Sequence, residues 1–438
     1  MINRRNLFQS IGLGLFASPL MASAYQTHNL SETFSPGNRF RITSRTELSG
    51  TMQLISSPNS TKQLLIKGSS QIEFDETILA LDSSFKVQKS IRDYRKAELN
   101  RNLDGDAQQS TLRPELRKIV ILRKDSKKIP FSKEGLLTWD ELDLIRTDVF
   151  PCALLGLLPS RSVSLNENWI AAKDSIQELT DLDVLQSTEV SCKLDSVNLV
   201  NNRRTARISF LGKVAGLNED GPNQQFLDGY LFFDCELRHL SFLYLKGTSI
   251  LKNKEGKEVG KMEGRYTLTS EVLPAVSLDN KVVGQYEPES ADLKLLLENN
   301  RTLFAFSYPR EWKVASQSLM QATLDYSNQA GLLITRDNTR RYAFSNTYLK
   351  ETSEFLQKQQ AKIESHQPIQ NVFGVIGLES FSWDVQIAGQ RVHLLYFVYK
   401  KGDAVFTLAC RIPLDNKVML RNDIVSIASS LRIVQKNG

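Results

Sequence analysis

Four histidines are the residues of this chain whose chemistry best suits acid–base catalysis or metal binding near neutral pH. His28, His239, His366 and His393 are dispersed over the 438 residues. No two of them have the spacing of a helix that presents paired histidines to a metal. Each is therefore interpreted as a surface or sheet-edge histidine, and we predict neither a metal site nor a catalytic triad.

A serine–lysine pair is the next candidate for nucleophilic chemistry. Ser83 and Lys86 have the spacing found in penicillin-recognising enzymes, but the required helix start and the companion motifs are missing. The chain also lacks a nucleophile elbow and a glycine-rich phosphate loop. We therefore predict no catalytic residue, no cofactor-binding residue and no cofactor. A hydrolase whose carboxylates cannot be identified by spacing is kept as an alternative.

One stretch partly resembles a calcium-binding loop. Residues 100–106, Asn-Arg-Asn-Leu-Asp-Gly-Asp, place oxygen-bearing side chains at alternate positions, with Gly105 at the turn. The twelfth position is Thr111 instead of the glutamate that binds calcium with both oxygens, and strands flank the stretch. We interpret it as a solvated hairpin loop and expect no bound metal.

The four cysteines are Cys152, Cys192, Cys235 and Cys410, and their spacing matches no zinc pattern. Each has apolar neighbours in the sequence, and free cysteine is often a small buried residue. An exported protein can form disulfides. The disulfide state of these four residues is therefore left open.

The basic charge of the chain is concentrated in its first third. The chain has a formal net charge of +6, whereas residues 36–135 hold 19 basic and 12 acidic residues, a net of +7. Many of the cations, such as Arg39, Arg41, Arg45 and Lys67, are predicted on the wet face of strands. This pattern indicates a solvated sheet face or contact with an anionic envelope polymer. It is too mild to indicate nucleic-acid binding.

Residues 1–24 have the organisation of a targeting segment. Residues 3–9, Asn-Arg-Arg-Asn-Leu-Phe-Gln, resemble the twin-arginine export motif. A weakly apolar stretch and the small residues Ala22-Ser23-Ala24 follow, as before a signal-peptidase site. We predict export to the periplasm or the cell exterior, with a Sec-type signal as the alternative. Cleavage would lower the formal charge to +4, and no later stretch is long and apolar enough for a transmembrane helix.

The segment from Arg39 to Leu54 is the strongest structural signal. Apolar or small residues occupy its even positions and polar residues its odd positions, which indicates one long strand with a buried and a wet face. Residues 63–75 repeat the pattern after a turn, so the two form a hairpin. Small residues recur on the predicted buried face of this hairpin. They leave room for a helix or a cavity. These small residues are Ser44, Thr46, Gly50, Gly68 and Ser70.

Helices are predicted in the middle of this first half. Thr138 and Glu141 have the capping-box spacing at a helix start. The apolar run Phe150–Leu158 and the segment Ser175–Leu185 are further candidates, and alternating strands resume after them. We therefore predict an α+β domain over residues 36–273, built as a large curved antiparallel sheet with short helices.

Two resemblances concern this first half. The phrases TWDELDLI, ALLGLLPSRSVSLNENW and GYLFFD resemble large uncharacterised secreted β-sheet proteins with twin-arginine signals. Asn166 stands where those proteins usually have glycine, and the resemblance implies no known activity. The predicted outline of long strands over short helices is also similar to bacterial lipoprotein carriers, in architecture only.

The second half follows a polar linker, residues 274–295, that contains Pro274 and Pro288. Residues 304–314, FAFSYPREWKV, resemble the opening of PsbP-like domains. The resemblance covers about residues 296–436 and implies an α-β-α sandwich that acts mostly as a scaffold or protein-binding module. We expect residues 296–438 to form a separate domain with Trp312 buried. Helices are predicted near residues 347–363 and over Val418, Ile424, Ile427 and Leu431.

These features favour an exported, non-catalytic protein of the cell envelope. It would act as a scaffold or a protein- or polymer-binding module, with an envelope protein or an anionic polymer as its partner. The alternative is a carrier of a hydrophobic ligand, which the small inward-facing residues of the first sheet would accommodate. A hydrolase is the third hypothesis.

Overall fold

The structure is a computed structural model. It describes residues 27–434 except 58–59, 125–126, 219–220, 299–301, 328, 338–344, 388, 403 and 415–416. The predicted targeting segment therefore lies outside the described residues. No helix in the described part of the chain combines the length and the apolar character needed to cross a membrane.

Residues 27–273, the first half, form one large antiparallel sheet and a two-stranded ribbon of β1 and β8. The order of the large sheet is β7-β6-β4-β3-β2-β14-β13-β12-β11-β10-β9, with β5 paired to β4. The strands are β1 (Thr27–His28), β2 (Arg39–Ser57), β3 (Ser60–Leu81), β4 (Val87–Leu103), β5 (Asp106–Thr111), β6 (Lys118–Lys124), β7 (Lys127–Phe131), β8 (Val163–Ser164), β9 (Asn168–Ile170), β10 (Val184–Val200), β11 (Arg203–Asn218), β12 (Gly221–Asp234), β13 (His239–Lys252) and β14 (Glu258–Leu273).

β2 shows the predicted alternation of buried and exposed residues. Phe40, Ile42 and Ser44 are buried on what we call the inner face, while Arg45 and Glu47 are exposed on the outer face. β2 pairs with β3 along nearly its whole length and with β14 on its other side. A bulge lies near Asp93, as a register shift between β3 and β4.

Short helices cover the inner face of this sheet. They are α1 (Trp139–Arg146), a 3₁₀ helix (Pro151–Leu157) and α2 (Lys173–Thr180). The predicted capping box is present at α1, because Glu141 N donates to Thr138 Oγ1 and Thr138 N donates to the Glu141 carboxylate. Leu144, Leu154 and Ile176 are fully buried against the strands. We refer to residues 137–183 as the helical insert.

The sheet curves over the insert. Where neighbouring strands approach each other closely, glycine is needed because it has no side chain. A Cβ atom added at Gly229 would lie 2.4 Å from both the Phe210 ring and the Tyr244 carbonyl oxygen. No other residue fits that contact without a shift of the backbone.

Residues 295–434, the second half, contain a seven-stranded antiparallel sheet and a smaller one of three strands. Their orders are β17-β18-β19-β23-β22-β21-β20 and β15-β16-β24. The strands are β15 (Leu295–Leu297), β16 (Phe304–Tyr308), β17 (Trp312–Gln317), β18 (Gln321–Tyr326), β19 (Ala330–Asp337), β20 (Lys362–Asn371), β21 (Leu378–Ile387), β22 (Gln390–Lys401), β23 (Ala404–Pro413) and β24 (Arg432–Ile433).

Two helices cover opposite faces of the seven-stranded sheet, which gives the predicted α-β-α layers. Leu356 of α4 (Ser345–Lys358) packs with Trp383 and Leu394 on one face. Ile424 of α5 (Lys417–Ser430) belongs to the core on the other face, with Phe397. The α+β class is thus confirmed for the described chain.

Two details of the second half differ from the prediction. The helix predicted over residues 347–363 ends at Lys358, and residues 362–371 form β20, an edge strand whose side chains are almost all exposed. An exposed edge strand has no buried face and hence no alternating pattern. Val418, predicted on the buried face of the last helix, is 76% exposed, whereas Ile424 and Ile427 are fully buried.

The linker is part of a contact between the halves. It contains α3 (Asn280–Gly284) and leads into β15, where Leu295 forms an isolated bridge with Leu137 of the insert. Both leucines belong to one core cluster that continues from the first sheet into the second half. Trp312 is fully buried, as predicted. Independent folding of the second half stays a prediction.

Candidate functional site

The most catalysis-like arrangement is a hydrogen-bonded chain of Ser270, His239 and Glu32. The His239 Nε2 atom lies 2.8 Å from Ser270 Oγ, and the Nδ1 atom lies 2.5 Å from Glu32 Oε1. These are the contacts of a nucleophile, a base and an orienting acid. The three residues come from separate segments far apart in the sequence, so their spacing could not reveal the arrangement.

Burial indicates that this chain of hydrogen bonds is structural. Ser270 is 5% exposed, and the Phe40 ring stacks on His239 at 5.0 Å between centroids. The adjoining cavity of about 330 Å³ is lined by Glu32 but by neither His239 nor Ser270. Glu32 also accepts a hydrogen bond from Leu240 N at 3.1 Å. The arrangement therefore attaches the segment before β2 to the sheet.

We expect the wild-type protein to resist labelling by a fluorophosphonate probe, because the Ser270 hydroxyl is covered. Intact-mass spectrometry after incubation would show a single unmodified species. The Ser270→Ala variant is the control. Labelling of the wild type that disappears in Ser270→Ala would contradict the structural interpretation and indicate a serine hydrolase.

The other histidines also have structural surroundings. His393 Nδ1 lies 2.6 Å from Asp384 Oδ1, and the His366 ring lies 5.1 Å from the Trp383 ring. His239 and His393 are both buried, so the prediction of surface or sheet-edge positions was wrong for them. Burial is possible because each ring has a carboxylate partner. His28 is partly exposed in β1, where partial burial and then nearby Arg204 lower its pKa.

The remaining predicted motifs lie in turns. Ser83 and Lys86 belong to the turn before β4, where Lys86 N donates to Asp82 Oδ1. The calcium-like stretch forms the β4–β5 hairpin, and Asp104 pairs with Lys62 at 2.5 Å. Among the described residues, no group of three or more His, Cys, Asp or Glu side chains could hold a metal ion.

The cysteines are free thiols. Three of the four are buried, and Cys235 is partly buried. Burial raises the pKa of Cys192 to about 12, so its thiol stays protonated at neutral pH. Such a thiol is a poor nucleophile.

A charge cluster is buried between the sheet and the insert. Arg92 lies between two carboxylates, with Nε 3.0 Å from Glu76 Oε1 and Nη1 3.2 Å from Asp148 Oδ2. All three side chains are at most 1% exposed. The Ser90 and Ser44 hydroxyls donate to the same two carboxylates, each at 2.8 Å. The cluster has no access to solvent, and its ion pair between Arg92 and Asp148 connects the sheet to the insert.

The cleft between the halves measures about 610 Å³ and is lined by side chains of both signs. Lys128 donates to Glu178 at 2.8 Å, and Arg310 donates to the carbonyl oxygens of Pro130 and Leu293 at 2.6 Å each. Burial raises the pKa of Glu178, but the neighbouring cations outweigh it and the net shift is downward. Burial lowers the pKa of Arg310 to about 10. Lys128, Glu178 and Arg310 have partners within the protein, and we interpret the cleft as a structural junction.

The outer face of the large sheet holds a different feature, a polar groove of about 890 Å³. We call it the outer groove. It crosses β5, β4, β3, β2, β14 and β13, whose register places one exposed side chain from each strand in a row. In strand order, that row consists of Gln109, Asn100, Ser69, Glu47, Arg265 and Lys246.

The side chains of the groove are available to a ligand. In the part of the chain that the structure describes, Ser69, Asn100 and Gln109 form no side-chain hydrogen bond with another side chain. A parallel row one step along the strands adds Asn102, Lys67, Ser49 and Glu263. With a spacing of about 4.8 Å between strands, the groove is about 24 Å long.

Four aromatic rings continue the same face beyond the groove. Tyr230 and Phe232 of β12 and Phe242 and Tyr244 of β13 have ring centroids 5.4–5.9 Å apart. All four are partly exposed, and the Arg207 guanidinium lies 4.8 Å from the centre of the Tyr230 ring. We call these rings the aromatic platform.

The groove and the platform are continuous. Lys246 and Tyr244 are two residues apart on β13 and point to the same side, which places them ~7 Å apart. Amide and hydroxyl groups match sugar hydroxyls, cations match carboxylates, and ring faces attract the C–H groups of a sugar ring. Stabilisation of the sheet by cross-strand aromatic pairs is the simpler use of the platform. It does not account for the adjoining groove.

Comparisons with known proteins give no close relative. No protein-family model matches the chain, and no curated protein matches it. The chain has a weak structural similarity to cyanobacterial PsbP from Synechocystis sp. PCC 6803. The identity is 12%, the match covers 32% of this chain and 92% of PsbP, and the TM-score is 0.25.

Two other solved structures are similar at the same low level. A structure of lipovitellin concerned with lipid–protein interactions is 10% identical, covers 56% of this chain and 26% of its own, and has a TM-score of 0.30. A protein of unknown function from Pseudomonas aeruginosa, PA94, a putative regulator, is 14% identical over 30% of this chain and 93% of its own, with a TM-score of 0.18. The function of this chain does not follow from similarities of this size.

Proposed function

We propose that this protein is an exported, non-catalytic binding protein of the cell envelope, whose outer sheet face holds an acidic polysaccharide. The observation that supports the proposal most is the continuity of the outer groove with the aromatic platform. Sugar polymers are extended, rich in hydroxyls and apolar on their ring faces. The two features offer partners for all three properties.

The charge of the outer face favours an acidic polymer over a neutral one. The outer groove is lined by four cations, Lys67, Arg101, Lys246 and Arg265, and by two carboxylates, Glu47 and Glu263. Further along the same face, Arg39, Arg41 and Arg95 each pair with Asp75. An excess of cations attracts polyanions and makes binding sensitive to salt.

The proposal has two further parts, the location of the protein and the role of its second half. The proposed export is based on the twin-arginine-like segment at residues 1–24, which lies outside the described residues. The second half, with its YPREW opening and α-β-α layers, is interpreted as a PsbP-like scaffold. In this proposal it supports the binding face and supplies no catalytic group.

We expect the protein to bind polygalacturonate, an acidic probe, more tightly than dextran, a neutral one. The double variant Tyr230→Ala/Tyr244→Ala would weaken binding about tenfold or more, because it removes the platform. Lys246→Gln/Arg265→Gln would weaken binding about three- to tenfold and reduce its dependence on salt. Isothermal titration calorimetry at two salt concentrations measures both effects.

A matched control keeps the charge change but moves it away from the groove. Lys254→Gln/Lys257→Gln alters two exposed lysines in the β13–β14 turn and is expected to bind like the wild type. Thermal melting of each variant verifies the fold. Equal binding of the two polymers, or no binding of either, would contradict the proposal.

A carrier of a hydrophobic ligand stays the second candidate. The observation in its favour is that Leu48 and Met52 are only partly buried on the inner face. Where the insert covers that face, it takes the place that a ligand would need. A bound lipid would therefore lie beside Leu48 and Met52.

A further inference from the structure

A separate pocket lies where the helical insert meets the second half. Its volume is about 320 Å³, within the range of small-molecule sites. The first turn of α1, β15 with the residue after it, the end of β16 and β17 form its walls. It shares no residue with the outer groove. We call it the α1 pocket, and its lining includes Trp139, Asp140, Leu296, Glu298, Tyr308 and Lys313.

The Tyr308 hydroxyl is a polar group without a partner in the wall of this pocket. Tyr308 is only 2% exposed, and its ring lies 5.9 Å from the Phe306 ring between centroids. In the described part of the chain the hydroxyl forms no hydrogen bond, although it is not one of the fully enclosed polar atoms. The α1 pocket is the space that it can reach. A nearly buried hydroxyl without a partner is unfavourable, and a ligand in the pocket would supply the partner.

Asp140 is the uncompensated charge of the pocket. Of the other charged side chains in the lining, Glu298 forms an ion pair with an arginine of β24, and Lys313 has a partner as well. The Asp140 carboxylate forms neither an ion pair nor a hydrogen bond with any described residue. The start of α1 does not need it as a cap, because Thr138 and Glu141 fill that role.

Trp139 adds an aromatic ring to these two polar groups. Its side chain is 37% exposed, and it forms no ring contact or hydrogen bond within the described chain. Leu296 and Val314 are apolar members of the same lining. Burial and then the nearby Asp140 carboxylate raise the pKa of the Tyr308 hydroxyl, which therefore stays protonated at neutral pH. A carboxylate, a hydroxyl and an aromatic ring thus share one small space.

We propose that the α1 pocket binds a small organic cation, a primary ammonium group on an apolar body. The ammonium N–H groups would donate to the Asp140 carboxylate and to the Tyr308 hydroxyl oxygen. The Trp139 ring would contact the apolar body and attract the charge. An anion is disfavoured here, because Asp140 would repel it. An acidic residue in the first turn stabilises a helix by itself, but this effect does not account for the Tyr308 hydroxyl.

Three probes of similar shape test the proposal on the full chain. They are phenethylammonium, 2-phenylethanol and phenylacetate, which carry a positive charge, no charge and a negative charge. We expect phenethylammonium to bind at least tenfold more tightly than either of the others, because only its charge compensates Asp140. Titrations followed by tryptophan emission and by ligand-detected NMR measure the three affinities.

Variants assign the binding to the three groups. Asp140→Asn should weaken phenethylammonium binding about tenfold. Tyr308→Phe should weaken it about threefold without lowering the melting temperature, because the hydroxyl has no partner in the protein to lose. Trp139→Leu should weaken it about fivefold and remove the change in emission. Asp143→Asn is the matched control and should bind like the wild type, because Asp143 lies on the same helix but pairs with Arg101 at 2.6 Å outside the pocket lining.

Thermal melting of each variant separates a loss of binding from a loss of structure. Equal binding of phenethylammonium and 2-phenylethanol, tighter binding of phenylacetate, or no binding of phenethylammonium would overturn the proposal. Wild-type affinity in Asp140→Asn would overturn it as well. A lower melting temperature for Tyr308→Phe would assign the hydroxyl to the structure of the protein and remove the main observation behind the site.

Discussion

Replacing Arg92 with methionine is expected to lower the free energy of unfolding by about 3–5 kcal/mol. The variant removes the only cation that contacts the buried Glu76 and Asp148 carboxylates among the described residues. Methionine keeps much of the packing against the Phe74 ring, which lies 4.2 Å from the guanidinium carbon. The loss of stability therefore measures the cost of leaving the two buried carboxylates without a cation. Urea unfolding, followed by circular dichroism, measures it.

Two further variants separate charge from packing. Arg95→Met alters a half-exposed arginine of the same strand that pairs with Asp75, and should cost no more than about 1 kcal/mol. The triple variant Arg92→Met/Glu76→Gln/Asp148→Asn should recover part of the loss, because no buried charge is left unpaired. A triple variant less stable than Arg92→Met would contradict this account.

The loss in Arg92→Met should also depend on pH. Burial raises the pKa of Asp148 in the wild type, and Arg92 opposes that rise. Without Arg92 the folded-state pKa rises further above the unfolded value. The protonated form then supports folding at low pH, and this support disappears as the pH rises through the folded pKa. The variant should consequently be less destabilised at pH 5 than at pH 8.

Replacing Trp312 with alanine is expected to cost about 3–5 kcal/mol. The indole is fully buried, its ring lies 5.5 Å from the Tyr326 ring, and Nε1 donates to Asp423 Oδ2 at 3.1 Å. The variant creates a cavity and also leaves the Asp423 carboxylate without this donor. Trp312→Phe, which keeps most of the ring volume, should cost less. Similar losses for both variants in urea unfolding would assign the effect to the hydrogen bond rather than to the cavity.

Strands can be predicted from the sequence where one face of the sheet is buried and the other is exposed to solvent. β2 and β3 were predicted because their outer residues are polar and their inner residues apolar or small. β12 was predicted although Tyr230 and Phe232 lie on its outer face, because Asp228 and Asp234 keep that face polar. β13 was not predicted, because Phe242 and Tyr244 alternate with leucines and leave the two faces alike. β20 was not predicted because neither of its faces is buried.

The candidate site could be foreseen only in part. Cations on the wet face of β2 and β3 suggested an anionic polymer, since the spacing of residues in one strand fixes their face. The outer groove and the platform depend on the register between six or more strands, which a single sequence does not encode locally. The hydrogen-bonded chain of Ser270, His239 and Glu32 could not be predicted either, because it also depends on contacts between segments that are distant in the sequence. Local capping chemistry at Thr138 and Glu141 was predicted correctly because both residues lie in one turn of helix.

The pairing of β2 with β14 sets an order of events during synthesis. β3 ends at Leu81 and β14 begins at Glu258, 177 residues later. At ribosomal rates of about 5–20 residues per second, β2 keeps one unpaired edge for roughly 10–35 s. An open edge can recruit the same strand of a neighbouring nascent chain. Arg39, Arg41 and Arg45 lie along that strand, and their like charges repel a second copy. The cations of the outer face therefore also oppose aggregation of the nascent chain.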